Sequence, residues 1–415
     1  MKALNDNAHP LESLLQQHCP NGVEFKELGE LWEKAPKSKM GANQAKNLSK
    51  NNGNICFTSG ETHYFIDDYL VDGEFLFLND GGTADIKYNS GKAYYTDHIF
   101  AFTSQKICVK FLYYFLKDKQ EAINKTCFQG TGLKNLQKNK IEKFPIPLPP
   151  LEIQHKIVEI LDAFTELEAE LEAELEARLK QYHYYRNKLL SHDELENRTA
   201  KQAKRSFFRK SRNDEKTPLV PLVTLGEVCE VSSGGTPNKN KTEYWSNGTI
   251  NWVKSEVCQN CYVYENQVKE KITELGLQKS SAKLLNKNST LIALVGATIG
   301  KAGFLTFKSA TNQNVASLYP KDEKKLNPKF LYFASLELYL EFEKLKGFAM
   351  ANLGFIRNLK IPLPPLSVQE EIVELLDKFD TLTNDLTSGI PAEIEARKKQ
   401  YEHYRERLLS FIAKD

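Results

Sequence analysis

The 415-residue sequence lacks the marks of several large protein classes. Its seven cysteines are odd in number and scattered, a pattern no secreted disulfide framework tolerates, so a reducing cytoplasm is the expected location. No apolar run nears the roughly 18 residues that cross a bilayer, and the opening MKALNDNAHP has no hydrophobic signal core. No membrane association and no export are expected. There is no Gly-x-Gly-x-x-Gly, and no Asn/Asp-Pro-Pro-Tyr/Phe of the kind that positions an amino group for methyl transfer. The stretch Gly296–Lys301 resembles a phosphate-binding loop only superficially. Three residues separate its glycines, and Ala302 stands where Ser or Thr would hold magnesium.

Metal and catalytic constellations are missing as well. Cys258-x-x-Cys261 has no second Cys or His pair at zinc spacing and only Cys229 as a cysteine neighbour, so structural thiols are favoured over a zinc site. None of the eight histidines sits in a Ser-His-Asp or His-Glu-x-x-His setting. Glu323-Lys324-Lys325 is a nuclease-like match that 27% charged residues produce by chance. No catalytic residue, no metal and no cofactor bound by this chain are therefore expected.

What is present is a globular composition, 41% hydrophobic, over a length that accommodates two or three domains at about 150 residues each. The net charge of +2 is unevenly divided. Residues 21–145 carry 17 basic and 15 acidic groups, and residues 221–360 carry 18 and 12. Residues 151–192 carry 5 and 9, residues 366–415 carry 7 and 11, and the short stretch 198–216 carries 8 and 2. Positive charge thus collects in two mixed-composition blocks where a polyanion could be gripped, and the segments after each block are acidic.

The chain also repeats itself. IPLPPLEIQHKIVEILDAF at 146–164 returns as IPLPPLSVQEEIVELLDKF at 361–379, an offset of 215. KQYHYYRNKLLS returns as KQYEHYRERLLS at an offset of 219, and Leu28-Gly29-Glu30 returns as Leu225-Gly226-Glu227. The order is block, helix, block, helix. Pro149-Pro150 and Pro364-Pro365 mark helix starts, because proline is tolerated at a first turn and nowhere deeper. Apolar residues then recur in steps of three and four, through Ile157, Leu161, Phe164, Leu171, Leu175, Tyr182 and Tyr185 in one copy. The other copy runs through Ile372, Leu376, Phe379, Leu386, Tyr401 and Tyr404. Such stripes predict two helices of about 40 residues, each roughly 60 Å long and in need of a partner along its length.

Two such helices in one chain can pair antiparallel, with a pseudo-two-fold axis and one block at each end of a rod; the alternative is that each packs into its own domain. The four extra residues of the second copy fall near Gly389-Ile390-Pro391, where a kink is expected. Tyr182, Tyr185, Tyr401 and Tyr404 are expected in that interface rather than as a platform for stacking bases.

The blocks read as mixed α+β. Strand-like runs occur at 74–78, 93–95 and 98–102 in the first, and at 249–253, 290–295, 303–307 and 314–319 in the second. Helical patterns follow at 108–118 and 329–345, without the strand-helix alternation of a parallel nucleotide-binding sheet. Several loops suit DNA, although each alone also reads as an ordinary turn. In the second block these are Ser232, Ser233, Gly234, Gly235 and Thr236, with Lys254, Thr298, Lys301, Asn312 and Gln313. Hydroxyls, close-approaching backbone and lysines suit phosphates, and paired amide groups match the adenine edge in the major groove. The corresponding places in the first block hold Asn79, Gly81, Gly82, Thr83, Lys92, Thr96 and His98.

With the repeat established, the two IPLPPL segments and their KQY-x-x-YR-x-x-LLS endings resemble the two conserved regions of the specificity (S) subunit of type I restriction-modification systems. The likeness spans essentially the whole chain. SSGGTP, GATIGKAG and Asn312-Gln313 are also similar to elements of that family's recognition domains, whereas Asn79–Thr83 departs from them. The resemblance implies a noncatalytic subunit that reads a bipartite, asymmetric target on double-stranded DNA. It also implies two adenine methyltransferase (M) subunits and ATP-dependent restriction (R) subunits as partners, with S-adenosylmethionine, ATP and magnesium held by those partners. The implied organisation is an N-terminal segment (1–20), a first recognition domain (21–145), a helix (146–197), a basic linker (198–217), a second recognition domain (218–360) and a second helix (361–415). A different class of reading remains, a coiled-coil adaptor whose heads bind proteins. The tandem units Leu167–Glu170, Leu171–Glu174 and Leu175–Arg178 add one helical turn each, which predicts that they act as a ruler.

Overall fold

The structure is a computed structural model that describes residue 17 and residues 19–132, 134–207, 220–344, 351–384 and 388–411. It divides into two compact units, Met1–Glu170 with Ala396–Asp415, and Leu171–Glu395. The boundary falls inside one continuous helix, Leu151–Leu190, whose start follows Pro149-Pro150 as the sequence predicts.

In the first unit, Glu24–Glu27 pairs antiparallel with Pro145–Leu148 and closes the base of head one where the chain enters and leaves it. Above that base lies an antiparallel sheet in the order Glu33–Lys34, Ile99–Thr103, Glu74–Asn79, Ile86–Ser90. A second sheet holds His63–Ile66, Asn54–Phe57 and Ala93–Tyr95, the last two parallel. Side chains alternate along a strand, and Glu74–Asn79 uses both faces. Leu76 and Leu78 join Phe111, Leu112 and Phe115 of the helix Val109–Asp118 in one core, while Phe77 packs with Phe57 and Tyr95 of the second sheet.

Head two repeats the plan. Leu222–Thr224 pairs with Lys360–Pro362 at the base. A five-stranded sheet follows in the order Cys229–Ser233, Val315–Pro320, Thr290–Ala293, Ala302–Leu305, Cys261–Val263. A four-stranded sheet runs Glu270–Ile272, Ile250–Val253, Ser309–Thr311, Leu284–Leu285. Ile292 faces Phe330, Tyr332 and Phe333 of the helix Pro328–Leu336, whereas Leu291 and Ala293 face the other sheet. That helix has proline in its first turn and is capped by Asn327, whose Oδ1 accepts from the backbone N–H of Lys329 and Phe330.

The repeated Pro-Pro-Leu-x-x-Gln segment has a structural reason. Gln154 is buried; its Nε2 donates to Pro149 O at 2.7 Å and its Oε1 accepts from the backbone N–H of Cys108 at 2.8 Å. Gln369 donates to Pro364 O at 2.7 Å and accepts from the N–H of Asn327 at 2.8 Å. Each glutamine staples the start of its long helix to the N-terminus of its own head's helix. Asp162 and Asp377 repeat the device two turns on, held by Lys110 and Tyr114 in one case and by Lys329 and Tyr262 in the other.

Both units contain an antiparallel helix seam. In the first, Lys398 pairs with Glu168 at 3.2 Å and Phe164 packs against Tyr401 and Tyr404, so partner numbers rise as helix numbers fall. Arg405 Nε donates to Asp118 at 3.0 Å, and Leu408 and Leu409 are buried in the core of head one. In the second, Tyr182 meets Asp380, Tyr185 stacks on Phe379 with ring centroids 5.5 Å apart, and Arg186 Nε donates to Glu337 at 2.7 Å. Leu189 and Leu190 enter the core of head two. Each fully buried leucine contributes roughly 1.5–3 kcal/mol.

The second tail is two helices, Leu366–Asn384 and Ile390–Leu408, rather than one unbroken run. The restart falls at Gly389-Ile390-Pro391, where the sequence predicts a kink; Leu386 lies outside the described residues. The stretch read as a basic linker begins inside a helix, His192–Phe207, and residues 208–219 lie outside the described residues. No described helix is long and apolar enough to cross a membrane.

Candidate nucleic-acid interface

The strand directions in head two gather its separated polar loops. Cys229–Ser233 and Thr290–Ala293 both run antiparallel to Val315–Pro320, so Ser233, Ala293 and the start at Val315 share one end of the sheet. The start of Ala302–Leu305 joins them, because that strand is antiparallel to Thr290–Ala293. The second sheet delivers Val253 and Thr311 together, since their strands are parallel and these two residues are partners. Ser232–Pro237, Lys254, Gly296–Lys301 and Thr311–Asn314 therefore emerge at one end.

Contacts weld two of these loops. Gly235 N–H donates to Thr311 O at 2.8 Å, and Thr236 Oγ1 donates to Gln313 Oε1 at 2.7 Å. Gly234 is required by close approach, because a Cβ there would lie 1.9 Å from the Thr311 carbonyl oxygen. Gln313 is exposed at the junction, while Asn312 is buried, with its Oδ1 accepting from Asn314 N–H at 3.1 Å. Ser232 and Ser233 are half-buried, paired with Ser317 and Ala316.

The two lysines that the sequence singles out at this end are engaged. Lys254 forms ion pairs with Glu270 and, at 3.8 Å, with Glu256, and its bond to Glu270 raises its pKa. Lys301 Nζ donates to Gln259 at 3.0 Å; Thr298 is half-buried in the short turn Gly296–Thr298. Cys258 is buried and Cys261 half-buried, and burial pushes both thiols up, toward the protonated form. Among the described residues no group of three or more His, Cys, Asp or Glu could hold a metal ion.

Head one builds the same end from different side chains. Val253↔Thr311 has its counterpart in Phe57↔Tyr95, again parallel, and Ala293↔Val315 in Asn79↔Ile99. Asn312 N–H bonds Val253 O, as Thr96 N–H bonds Phe57 O. Asn79 and Thr96 are buried and serve the loops themselves: Asn79 Nδ2 donates to Ser59 O at 2.6 Å and to Thr83 O at 3.3 Å. Gly81 bridges Asn135, and Gly82 sits at φ +84° with open space around it beside exposed Thr83. His98 is exposed, 3.3 Å from Asp80. Lys92 lies apart, before the start of Ala93–Tyr95 rather than at its Thr96 end, with Nζ 4.5 Å from the Tyr69 ring centre.

Sequence reasoning passed over one loop of head one. Glu33 pairs with Thr103 as Glu230 pairs with Tyr319, so Lys34–Gly41 takes the place of Val231–Asn238. Lys37 and Lys39 are exposed there. The Leu-Gly-Glu repeat held the signal, for its offset maps Lys37 onto Gly234.

The comparisons agree with this architecture. The family model "Type I restriction modification DNA specificity domain" matches residues 20–181 and 220–396. The type I restriction enzyme EcoR124I/EcoR124II specificity subunit of Escherichia coli is 35% identical over 319 residues, 74% of this chain and 72% of that one. A putative type I restriction enzyme specificity subunit of Haemophilus influenzae is 30% identical over 98% of this chain and 100% of its own length. The crystal structure of a type I restriction-modification S subunit from M. genitalium shares the fold, with a TM-score of 0.59 at 17% identity over 98% of this chain and 96% of that one. Two family domains, each with its own loop-bearing sheet end and stapled helix, make this chain a member of the type I restriction-modification specificity-subunit family.

Proposed function

We propose that the chain reads DNA sequence for a type I restriction-modification complex, each head contacting one half of a bipartite asymmetric target. The observation that carries this is the convergence of Ser232–Pro237, Thr311–Asn314 and Gly296–Lys301 at one sheet end, repeated with different residues at the matching end of head one. Equal scaffolds with unequal loops suit two unlike half-sites. Hydroxyls, amides and exposed backbone supply both phosphate and base-edge contacts.

The long helices set the distance between half-sites and dock two methyltransferase subunits, which restriction subunits then join. The chain itself performs no chemistry; S-adenosylmethionine, ATP and magnesium belong to those partners, and the assembly works in the cytoplasm. The exposed glutamates 170, 172, 174 and 176 alternate between opposite sides of the first long helix, disfavour DNA along it and leave it for protein.

The test is binding of the full chain, with its partner subunits, to duplex DNA under rising salt and excess competitor. Sequence preference that survives competitor DNA, with affinity falling steeply as salt rises, is expected. Salt-insensitive binding to proteins alone would favour an adaptor instead.

A further inference from the structure

The cations that the sequence singles out in head two are engaged, but two others at the same end are not. Lys269 immediately precedes Glu270, the partner of Trp252, and Lys283 immediately precedes Leu284, the partner of Ala310. Both outer strands run antiparallel to the inner pair Ile250–Val253 and Ser309–Thr311, so their first residues lie where the inner strands end, at Val253 and Thr311. Lys269 and Lys283 therefore stand on opposite edges of the sheet, with Lys254, Asn312 and Gln313 emerging between them. Both are exposed, and neither has an ion-pair partner among the described residues. Gly235 packs against Ser281 and Ala282, which brings the Ser232–Pro237 loop next to the Lys283 edge.

The spacing has a natural match. Three inter-strand steps put the two lysine backbones about 14 Å apart, and flexible four-carbon stems extend from each. The major groove is about 12 Å wide between its phosphate walls. Resting on the DNA-reading role proposed above, we propose that Lys269 and Lys283 grip the two phosphate backbones on either side of the major groove, holding Gln313 and Thr236 over the base edges between them. They position the head and carry no sequence information. Head one is built otherwise: His63, the partner of Phe57, takes the place next to Val253's counterpart that Lys269 has in head two, and its second sheet has three strands. The bracket is thus a property of head two.

The test uses the full chain with its partner subunits and a random-sequence 60-base-pair duplex as probe, with affinity measured against salt. Each lost phosphate contact lowers the log–log salt slope by about 0.9, so Lys269→Gln with Lys283→Gln should lower it by about 1.8. The control, Lys287→Gln with Lys308→Gln, removes the same charge from the opposite ends of the same sheet and should leave the slope unchanged. An unchanged slope in the first variant, or an equal drop in the control, overturns the bracket while leaving DNA reading intact. Absence of salt-dependent binding by the unaltered protein would instead remove the DNA-reading role, and the bracket with it.

Discussion

The Tyr182 hydroxyl donates to Asp380 Oδ1 at 3.3 Å, joining two side chains that are each only 2% exposed and come from opposite repeats of the sequence. Asn384 Nδ2 also donates to Asp380, at 2.9 Å. Desolvation nevertheless dominates and raises the Asp380 pKa to about 6, with Asp377 pushing the same way and Tyr182, Asn384 and Lys329 opposing it. A carboxyl whose folded pKa lies above its unfolded value binds its proton more tightly when folded, so stability falls as pH rises from about 4 to 6 and stays lower above that. The cost at neutral pH is on the order of 2–3 kcal/mol. Asp380→Asn should raise the denaturation midpoint at pH 8 and flatten its pH dependence across that window; denaturant titrations at pH 5 and pH 8 check both.

The matching seam of the first unit adds ion pairs to its packed rings. Arg405 reaches Asp118, whose side chain is nearly buried and also meets Lys119 at 2.9 Å. Arg405→Ala should cost about 1–2 kcal/mol, since Lys119 still partners the carboxylate. Arg405→Lys should recover only part, because an ammonium lacks the planar fork. Chemical denaturation of both variants measures this.

Two glycines predict opposite outcomes for the same substitution. Gly234→Ala must push the Ser232–Pro237 loop off Thr311, so recognition of head two's half-site should be lost at a stability cost of about 1–3 kcal/mol. Gly82→Ala meets open space and bears only the strain of its positive φ, about 1 kcal/mol, so recognition by head one should persist. Modified-base mapping in cells carrying each variant distinguishes them.

Inserting one further Leu-Glu-Ala-Glu unit after Glu174 extends the helix by about 6 Å and turns it by about 40°. The unspecified spacer in the recognised DNA should lengthen by about one or two base pairs with both half-sites unchanged. An unaltered spacer would show that the helices are not the ruler.

Several strands of each main sheet were legible because hydrophobic runs such as Glu74–Asn79 and Thr290–Ala293 are long enough to show. Of the second sheets only Ala93–Tyr95 and Ile250–Val253 showed; Ser309–Thr311 and His63–Ile66 escaped because each is only three or four residues long. The helix stripes were visible, but a stripe does not name its partner: Ile157, Leu161, Ile372 and Leu376 belong to buried cores shared with the heads. Half-buried Leu171 and Leu175 follow the same stripe along the first long helix. The polar segments stood out by composition, yet which of their residues are consumed internally, as Asn79 and Thr96 are, depends on contacts that no spacing reveals.

The most direct measurement exchanges head two, residues 218–360, for the equivalent head of a relative and maps modified adenines genome-wide. The account predicts that one half of the recognised motif changes while the other half and the spacer stay the same. Change in both halves, or in neither, would contradict it.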